Sequence, residues 1–402
     1  MTTRTQSTFA SPISESRGWL NGVTFTPDRP LLNLSQAAPV AMPPPDMLAA
    51  MAGALQDPAT HLYGPDLGLP ALRAALAART AQIYGGALHH DQVAITAGAN
   101  QAFATAIATL CGEGDEVLLP TPWYFNHKMW LDMSGVRAVP LPSLAGLLPD
   151  VDAAAHLITA RTRAIVLVTP NNPTGAEYPP DLIRAFRDLA RRHGIALILD
   201  ETYRDFHSHE NTLNGAPHDL FLDPDWDDTL VHLYSFSKSY RLTGHRIGAM
   251  IASPERLYQG EKFIDASTIC PNQLGQRAAL WGLENLDDWL AQERREILHR
   301  RAAITGGFAQ LHAQGWHLLG CGAYFAYVQH PFDLPSNLLA QQLVKQAAVL
   351  ALPATMFTPD HDPAGARQMR LAFANIDAAG IGHLFDRLSD IALPLAPAPS
   401  TP

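Results

Sequence analysis

Short unbroken apolar runs, each giving way to a polar cluster and then to a helical stretch, restrict this chain more than any other feature. They lie at 93–97 (VAITA), 116–119 (EVLL), 164–168 (AIVLV), 195–199 (IALIL), 229–233 (TLVHL) and 246–252 (RIGAMIA). A strand with one wet face alternates apolar and polar side chains, and most of these runs do not. They read as strands buried on both faces of a largely parallel sheet, with helices making the crossovers. The clearest helix is expected over 181–193 (DLIRAFRDLARRH), where Leu182, Ile183, Phe186, Leu189 and Ala190 share a face. Pro179 and Pro180 precede it, Asp181 opens it, arginines fill its last turn and Gly194 ends it, and each is a start or stop signal with a mechanism. The interval from 237 to 246 is too short for a helical crossover, so the last strand pair is expected to be antiparallel and the sheet mixed.

The chain has 402 residues, 47% of them hydrophobic, which suits two fused lobes with a sizeable core. Residues 1–30, rich in Ser, Thr and Pro, are expected to form an irregular N-terminal arm. Residues 31–310 are expected to form a large domain, with 31–50 contributing to the smaller one. A long helical stretch is expected over 272–312. A small α/β domain is expected over 311–392, with strands near 323–328 and 367–373, and residues 393–402 form a loose Pro-rich tail. The tryptophans of WGLENLDDW (281–289) read as packing or interface residues.

Several function classes are excluded. Lys and Arg number 28 against 38 Asp and Glu, a net charge of -10, with no basic patch for a nucleic acid. Only 16% of residues are charged, which leaves surface for another subunit to cover. Cys111, Cys270 and Cys321 lie far apart and form neither a metal spacing nor a disulfide framework, as suits a reducing cytoplasm. No apolar run approaches the roughly 20 residues of a membrane helix, and the first residues lack a signal-peptide core. His207 with His209, and His89 with His90, have no third ligand at a convincing spacing, so no metal is expected. The chain lacks G-x-G-x-x-G, the P-loop and G-x-S-x-G.

In an open parallel sheet the ligand lies beyond the carboxyl ends of the strands. Four of those ends carry polar residues here. Gly98-Ala99-Asn100 turns into an Ala-rich helix, and such a turn cradles anions with backbone N–H groups. Asn172 lies in a Pro- and Gly-rich loop after 164–168. Asp200 follows IALIL directly, where a carboxylate is costly without a partner. Lys238 sits among Ser235, Ser237 and Ser239, with Arg246 downstream, and nearby cations and burial lower a lysine's pKa as a nucleophilic amine requires. A cradle, a cation, a carboxylate and a reactive lysine form the set that holds pyridoxal phosphate as a Schiff base.

These residues lie in segments that resemble the class I and II aminotransferases of fold type I. The segments are YGPDLGLPALRAALA (63–77), TAGANQAF (96–103), TPWYFNHK (121–128), NNPTG (171–175), DETYRDF (200–206), SFSKSYRLTGHRIG (235–248) and MRLAFAN (369–375). The likeness covers about residues 30–390. It implies an α/β fold with a mixed, mostly parallel seven-stranded sheet sandwiched by helices and a smaller C-terminal α/β domain. It implies pyridoxal 5'-phosphate bound to Lys238 as an internal aldimine, and a ping-pong transfer of an amino group from an L-amino acid to a 2-oxo acid.

The resemblance further implies that Lys238 shuttles the proton, that Asp200 pairs with the pyridine nitrogen, and that His127 stands behind Asp200. Tyr203 and Asn172 would bond the ring's phenolic oxygen, and Tyr124 would stack on the ring. Gly98, Ala99, Asn100, Ser235, Ser237 and Arg246 would hold the phosphate. Arg370 would fork onto the substrate carboxylate, with Ala37 and Asn172 beside it. Tyr63 would reach the phosphate of a neighbouring subunit, which implies a homodimer with shared sites. Ala37 replaces the family's usual glycine and Tyr124 its common tryptophan. A C–S β-lyase, a cyclopropane-forming synthase or a decarboxylase on the same scaffold remains an alternative. So does a non-catalytic regulator, which the short leader and acidic charge disfavour.

Overall fold

Seven strands form the main sheet of the computed structural model, which describes residues 3–210, 212–213 and 215–397. In chain order they are β1 (Val93–Thr96), β2 (Glu116–Pro120), β3 (Arg137–Leu141), β4 (Thr162–Val168), β5 (Ala196–Asp200), β6 (Leu230–Ser235) and β7 (Gly248–Ile251). Across the sheet the order is β1-β7-β6-β5-β4-β2-β3. Pairings from β6 to β3 are all parallel, whereas β7 is antiparallel to both β6 and β1. The antiparallel pair joined by the short 237–246 connection is therefore present. The start of β7 lies at the same edge as the carboxyl ends of the other six.

Continuous burial explains why the apolar runs do not alternate. Every residue of β4 except Arg163 is buried, as is every residue of β5 and β6. One face packs on helices carrying Leu72, Leu76, Ile183, Phe186 and Leu189; the other packs on Phe103, Ile107, Leu131 and Ile264. The 181–193 helix spans Pro180–His193, and Gly194 takes the left-handed conformation at its end.

A second sheet has four antiparallel strands, β8 (His317–Gly322), β9 (Phe325–Gln329), β10 (Leu352–Pro353) and β11 (Gln368–Ala372), in the order β10-β11-β9-β8. It has its own core of Trp316, Ala326, Val328, Leu339, Leu343, Met369, Leu371 and Leu384. Leu32–Asn33 pairs in parallel with Val349–Leu350, and the Ala372 N–H donates to the Leu34 carbonyl at 2.9 Å. Residues just after the arm thus join this second body. No helix among the described residues is long and apolar enough to cross a membrane.

Three expectations change. The stretch 272–312 is three helices, Gln273–Asn285, Asp287–Gly307 and Ala309–His312, because the backbone leaves helical geometry at Leu286. The arm is not irregular throughout: it holds a helix at Pro12–Gly18, begun by a proline in its first turn. The tail is held at its start, where Pro394 accepts from the Asp333 N–H and Ala396 donates to the Pro331 carbonyl, each at 2.8 Å. Residues 398–402 lie outside the described residues.

Phe186 is fully buried between helix and sheet. Phe186→Ala should lower stability by about 3–5 kcal/mol, read as a drop in the urea midpoint. Arg192→Ala, on the exposed face of the same helix, should stay within about 0.5 kcal/mol of the parent.

Candidate active site

The carboxyl edge of the main sheet opens into a cavity of about 270 Å³. Its walls include Ala37, Ala99, Asn100, Tyr124, Asn172, Asp200, Tyr203, Ser235, Ser237, Lys238, Arg246 and Arg370. The sequence picked all twelve, and the fold brings them together from five strand ends and the second sheet.

Each arrives for a local reason. Ser235 ends β6 and caps the four-residue helix Phe236–Ser239 by accepting from the Ser237 N–H at 3.2 Å, which turns Lys238 into the cavity wall. Gly98, with φ +84°, is the N-cap of the helix Ala99–Leu110. Its orphan N–H groups therefore face the same edge. A Cβ on Gly98 would lie 2.3 Å from Arg246 Nη2, and one on Gly248 would lie 2.5 Å from the Ala99 nitrogen. Both glycines let β7 and Arg246 close directly on the turn. Arg246 donates to the Thr243 carbonyl at 3.0 Å and reaches Ser237 Oγ at 3.4 Å. In the loop after β4, Asn171 does the structural work: its Oδ1 accepts from the Thr174 N–H and hydroxyl at 3.1 and 2.8 Å. Asn172 is thereby free to face the cavity.

Asp200 ends β5, buried, with every contact charge-stabilising. Its Oδ1 accepts from the Thr202 N–H at 3.0 Å and hydroxyl at 2.7 Å, and His127 Nε2 lies 3.2 Å from its Oδ2. Burial acts to raise the carboxyl's pKa, and the His127 and Thr202 contacts outweigh it, so the net shift is downward. His127 itself stacks on Phe103 with ring centroids 3.9 Å apart.

Lys238 is pulled down to about 8 by burial first and then by the charges of Arg246 and Arg370, against the opposing pull of Asp200. Its amine lies 6.0 Å from the Tyr203 ring centre. Arg370, on β11, is 2% exposed. It donates to Asn172 Oδ1 at 3.0 Å and to the Ser35 carbonyl, and its guanidinium stands 4.9 Å from the Phe357 ring centre. Burial lowers its pKa to about 10, with Tyr203 and Tyr124 acting the other way. Among the described residues no carboxylate pairs with Lys238, Arg246 or Arg370. Tyr124 accepts from Asn126 Nδ2 at 2.9 Å, and burial, then the Asp200 charge, push its phenol up to about 12.

Tyr63 is not in the cavity; it is 79% exposed on the outside of the chain. Sequence reasoning missed Thr202, Gln36, Phe125, Asn126, Ser11 and Ile13, which also line the walls. Thr202, inside the quoted DETYRDF segment, was within reach as a hydroxyl beside a buried acid. Ser11 and Ile13 come from the arm and carry no sequence signal.

The Asp200–His127 contact has a testable sign. With a folded-state pKa below the ordinary 3.8, Asp200 contributes stability above pH 3.8 that is lost as pH falls through the lower value. In His127→Ala only Thr202 is left to oppose burial, and the folded pKa is expected to rise above 3.8. The contribution then disappears as pH rises through that range. Thermal midpoints of the cofactor-free chain at pH 4, 5.5 and 7 should show a deficit of the variant against the parent that widens with pH.

Comparison with known proteins gives the family. Residues 29–388 match the sequence profile of aminotransferase class I and II. An aromatic aminotransferase of Arabidopsis thaliana is 33% identical over 68% of both chains. An aspartate/prephenate aminotransferase of Thermus thermophilus is 26% identical over 73% of this chain and 76% of its own. The solved aspartate aminotransferase of Thermus thermophilus superposes with a TM-score of 0.85 over 97% of this chain and 98% of its own, at 24% identity, a likeness of fold. The chain belongs to the class I and II aminotransferases, fold type I enzymes that transfer amino groups with pyridoxal phosphate.

Proposed function

We propose that this cavity takes pyridoxal 5'-phosphate and moves the amino group of a neutral, preferentially aromatic, L-amino acid to a 2-oxo acid in two half-reactions. The observation that carries the reading is the convergence of Lys238, Asp200, Arg246 and Arg370 on one cavity. The donor set suits this group: a lysine with a lowered pKa, a glycine turn with orphan N–H groups beside an arginine, and a buried carboxylate held ionised. When bound, pyridoxal phosphate supplies an electron sink conjugated to the substrate's Cα.

The chain's own groups do the rest. Part of Lys238 is the free amine near neutral pH, so its Nζ can form the covalent link and later carry the proton from substrate Cα. Asp200, kept ionised by His127 and Thr202, is placed to hold a proton at the pyridine nitrogen. Tyr203 and Asn172 donate toward the phenolic oxygen, and Tyr124 packs on the ring. Ala99 and Asn100 would offer backbone N–H groups, with Ser235, Ser237 and Arg246, to the phosphate, whereas the Gly98 N–H is already given to the Thr96 carbonyl at 2.8 Å. Arg370 forks onto the α-carboxylate, with Ala37 and Asn172 beside it.

The donor follows from the cations in the walls. Among the described residues of the wall they are Lys238, Arg246 and Arg370, and the remaining wall includes Ile13, Phe125 and Ala37 beside the uncharged Gln36, Ser11 and Asn126. None is left for a side-chain carboxylate, whose burial unpaired is costly. The name of the Arabidopsis relative points the same way; that of the Thermus relative includes aspartate.

The assembly and domains follow the same reading. Val40, Met42, Leu62 and Tyr63 are all more than half exposed, which supports a homodimer in which Tyr63 completes the other copy's site. We divide the chain into the arm (1–30), the large domain and the small domain, with the long helix Asp287–Gly307 joining the two. Ile304 near that helix's end packs in the core of the second sheet. The unpaired state of Cys111, Cys270 and Cys321 supports a reducing, cytoplasmic setting.

A donor panel tests the substrate class. Phenylalanine, tyrosine and leucine should convert the loaded enzyme to its pyridoxamine form faster than aspartate does; the reverse order overturns the reading, and release of ammonia with pyruvate indicates elimination instead. Lys238→Ala should lose the visible cofactor band that borohydride bleaches, and its kcat should fall roughly a thousandfold or more. Arg370→Lys should raise KM for the donor by about 10- to 100-fold, the loss of one charged hydrogen bond of about 1.5–3 kcal/mol, with a smaller change in kcat.

A further inference from the structure

Behind the cavity lies a charged layer, none of whose charged residues lines the cavity wall. It is built from the segment that follows Asp200. Glu201, fully buried, bonds the Tyr84 hydroxyl and lies 3.2 and 2.8 Å from the Nε2 atoms of His218 and His232. Arg204, 3% exposed, holds its guanidinium 3.9 Å from the centre of the Tyr234 ring. Asp205 comes next. Its Oδ2 accepts from the Tyr234 hydroxyl at 2.7 Å and from the Ser239 hydroxyl. Those two hydroxyls are 3.2 Å apart.

The position of the two donors is what matters. Tyr234 is the next-to-last residue of β6, and Ser239 is the last residue of the four-residue helix that carries Lys238. One carboxylate therefore clamps the chain on both sides of the lysine, four residues before it and one after it. A four-residue helix has no stability of its own, because nucleation is not repaid within one turn. Its geometry has to come from tertiary contacts. Arg204 Nε lies 3.7 Å from Asp205 Oδ1, a countercharge within the same layer. Tyr234 and Ser239 are both essentially inaccessible and the Asp205 side chain is 11% exposed, so water competes little for these bonds.

We propose that Asp205 is a positioning residue for Lys238, fixing the direction of its amine through Tyr234 and Ser239 without touching substrate or cofactor. The consequence for the reaction rests on the proposed function; the consequence for the chain does not. The test therefore has two arms, run on Asp205→Ala, Asp205→Asn and Ser239→Ala in the full chain.

In the cofactor-free chain, amide hydrogen exchange over residues 234–241 should quicken about tenfold in Asp205→Ala, and exchange in β2 and β4 should not change. Ser239→Ala should loosen the same segment less. Unchanged exchange at 234–241, or faster exchange everywhere with a lower thermal midpoint, overturns the proposal. In the loaded enzyme, Asp205→Ala should lose at least tenfold in kcat with donor KM within about threefold, and Asp205→Asn, which retains an acceptor oxygen, should recover most of that loss. A matching loss in KM, or no recovery in Asp205→Asn, also overturns it. If the parent takes up no pyridoxal phosphate, the proposed function fails, and the exchange arm alone decides the clamp.

Discussion

One buried carboxylate facing three cations is the constraint around which this structure is arranged. Lys238, Arg246 and Arg370 share a cavity wall whose acidic member is Asp200. Cations held this close repel one another, and burial removes the water that would screen them. The two arginines are tethered by neutral acceptors: Arg370 by Asn172 and the Ser35 carbonyl, Arg246 by the Thr243 carbonyl. The carboxylate is held by Thr202 and His127. On the proposed reading this excess of positive charge complements a phosphate and a substrate carboxylate. Burial, and then the same repulsion, lowers the Lys238 pKa toward the range in which an amine reacts.

How much of this was legible depends on the kind of signal each residue carries. β1, β2 and β4 to β7 were readable because burial on both faces leaves continuous apolar runs. β3 (RAVPL) was not: it is an edge strand, Arg137 and Pro140 are exposed, and proline is tolerated only at such edges. β8 (HLLGCG) escaped for a related reason, since two glycines and partial exposure blur its pattern. The helix break at Leu286 had no glycine or proline to announce it.

In the site, residues at strand ends stood out because a polar side chain there has few structural excuses. His127 became legible only through the family resemblance, since one histidine on a helix says nothing of the acid it meets. Arg370 was placed in the same way. Its tethers at Ser35 and Asn172 lie 335 and 198 residues away in sequence. Asp205 was hidden in DETYRDF as an ordinary charged residue, because its partners Tyr234 and Ser239 come from a neighbouring strand and the helix after it.

The division of labour between the two sheets gives these long-range bonds their meaning. Lys238 and Asp200 belong to the main sheet, whose seven strands and two helical layers fix them rigidly. Arg370 belongs to β11 of the second sheet. The Arg370–Asn172 bond, 3.0 Å long, crosses from one to the other, and the Ser35 carbonyl braces it from the segment that also pairs with β11 at Leu34. On the proposed reading, a carboxylate taken up by Arg370 would be positioned relative to Lys238 by the packing of two separate cores. Any shift between those cores changes the distance between the anchoring group and the reacting amine. On the proposed reading, the alignment of the substrate's Cα with that amine therefore depends on this packing as well as on the cavity wall.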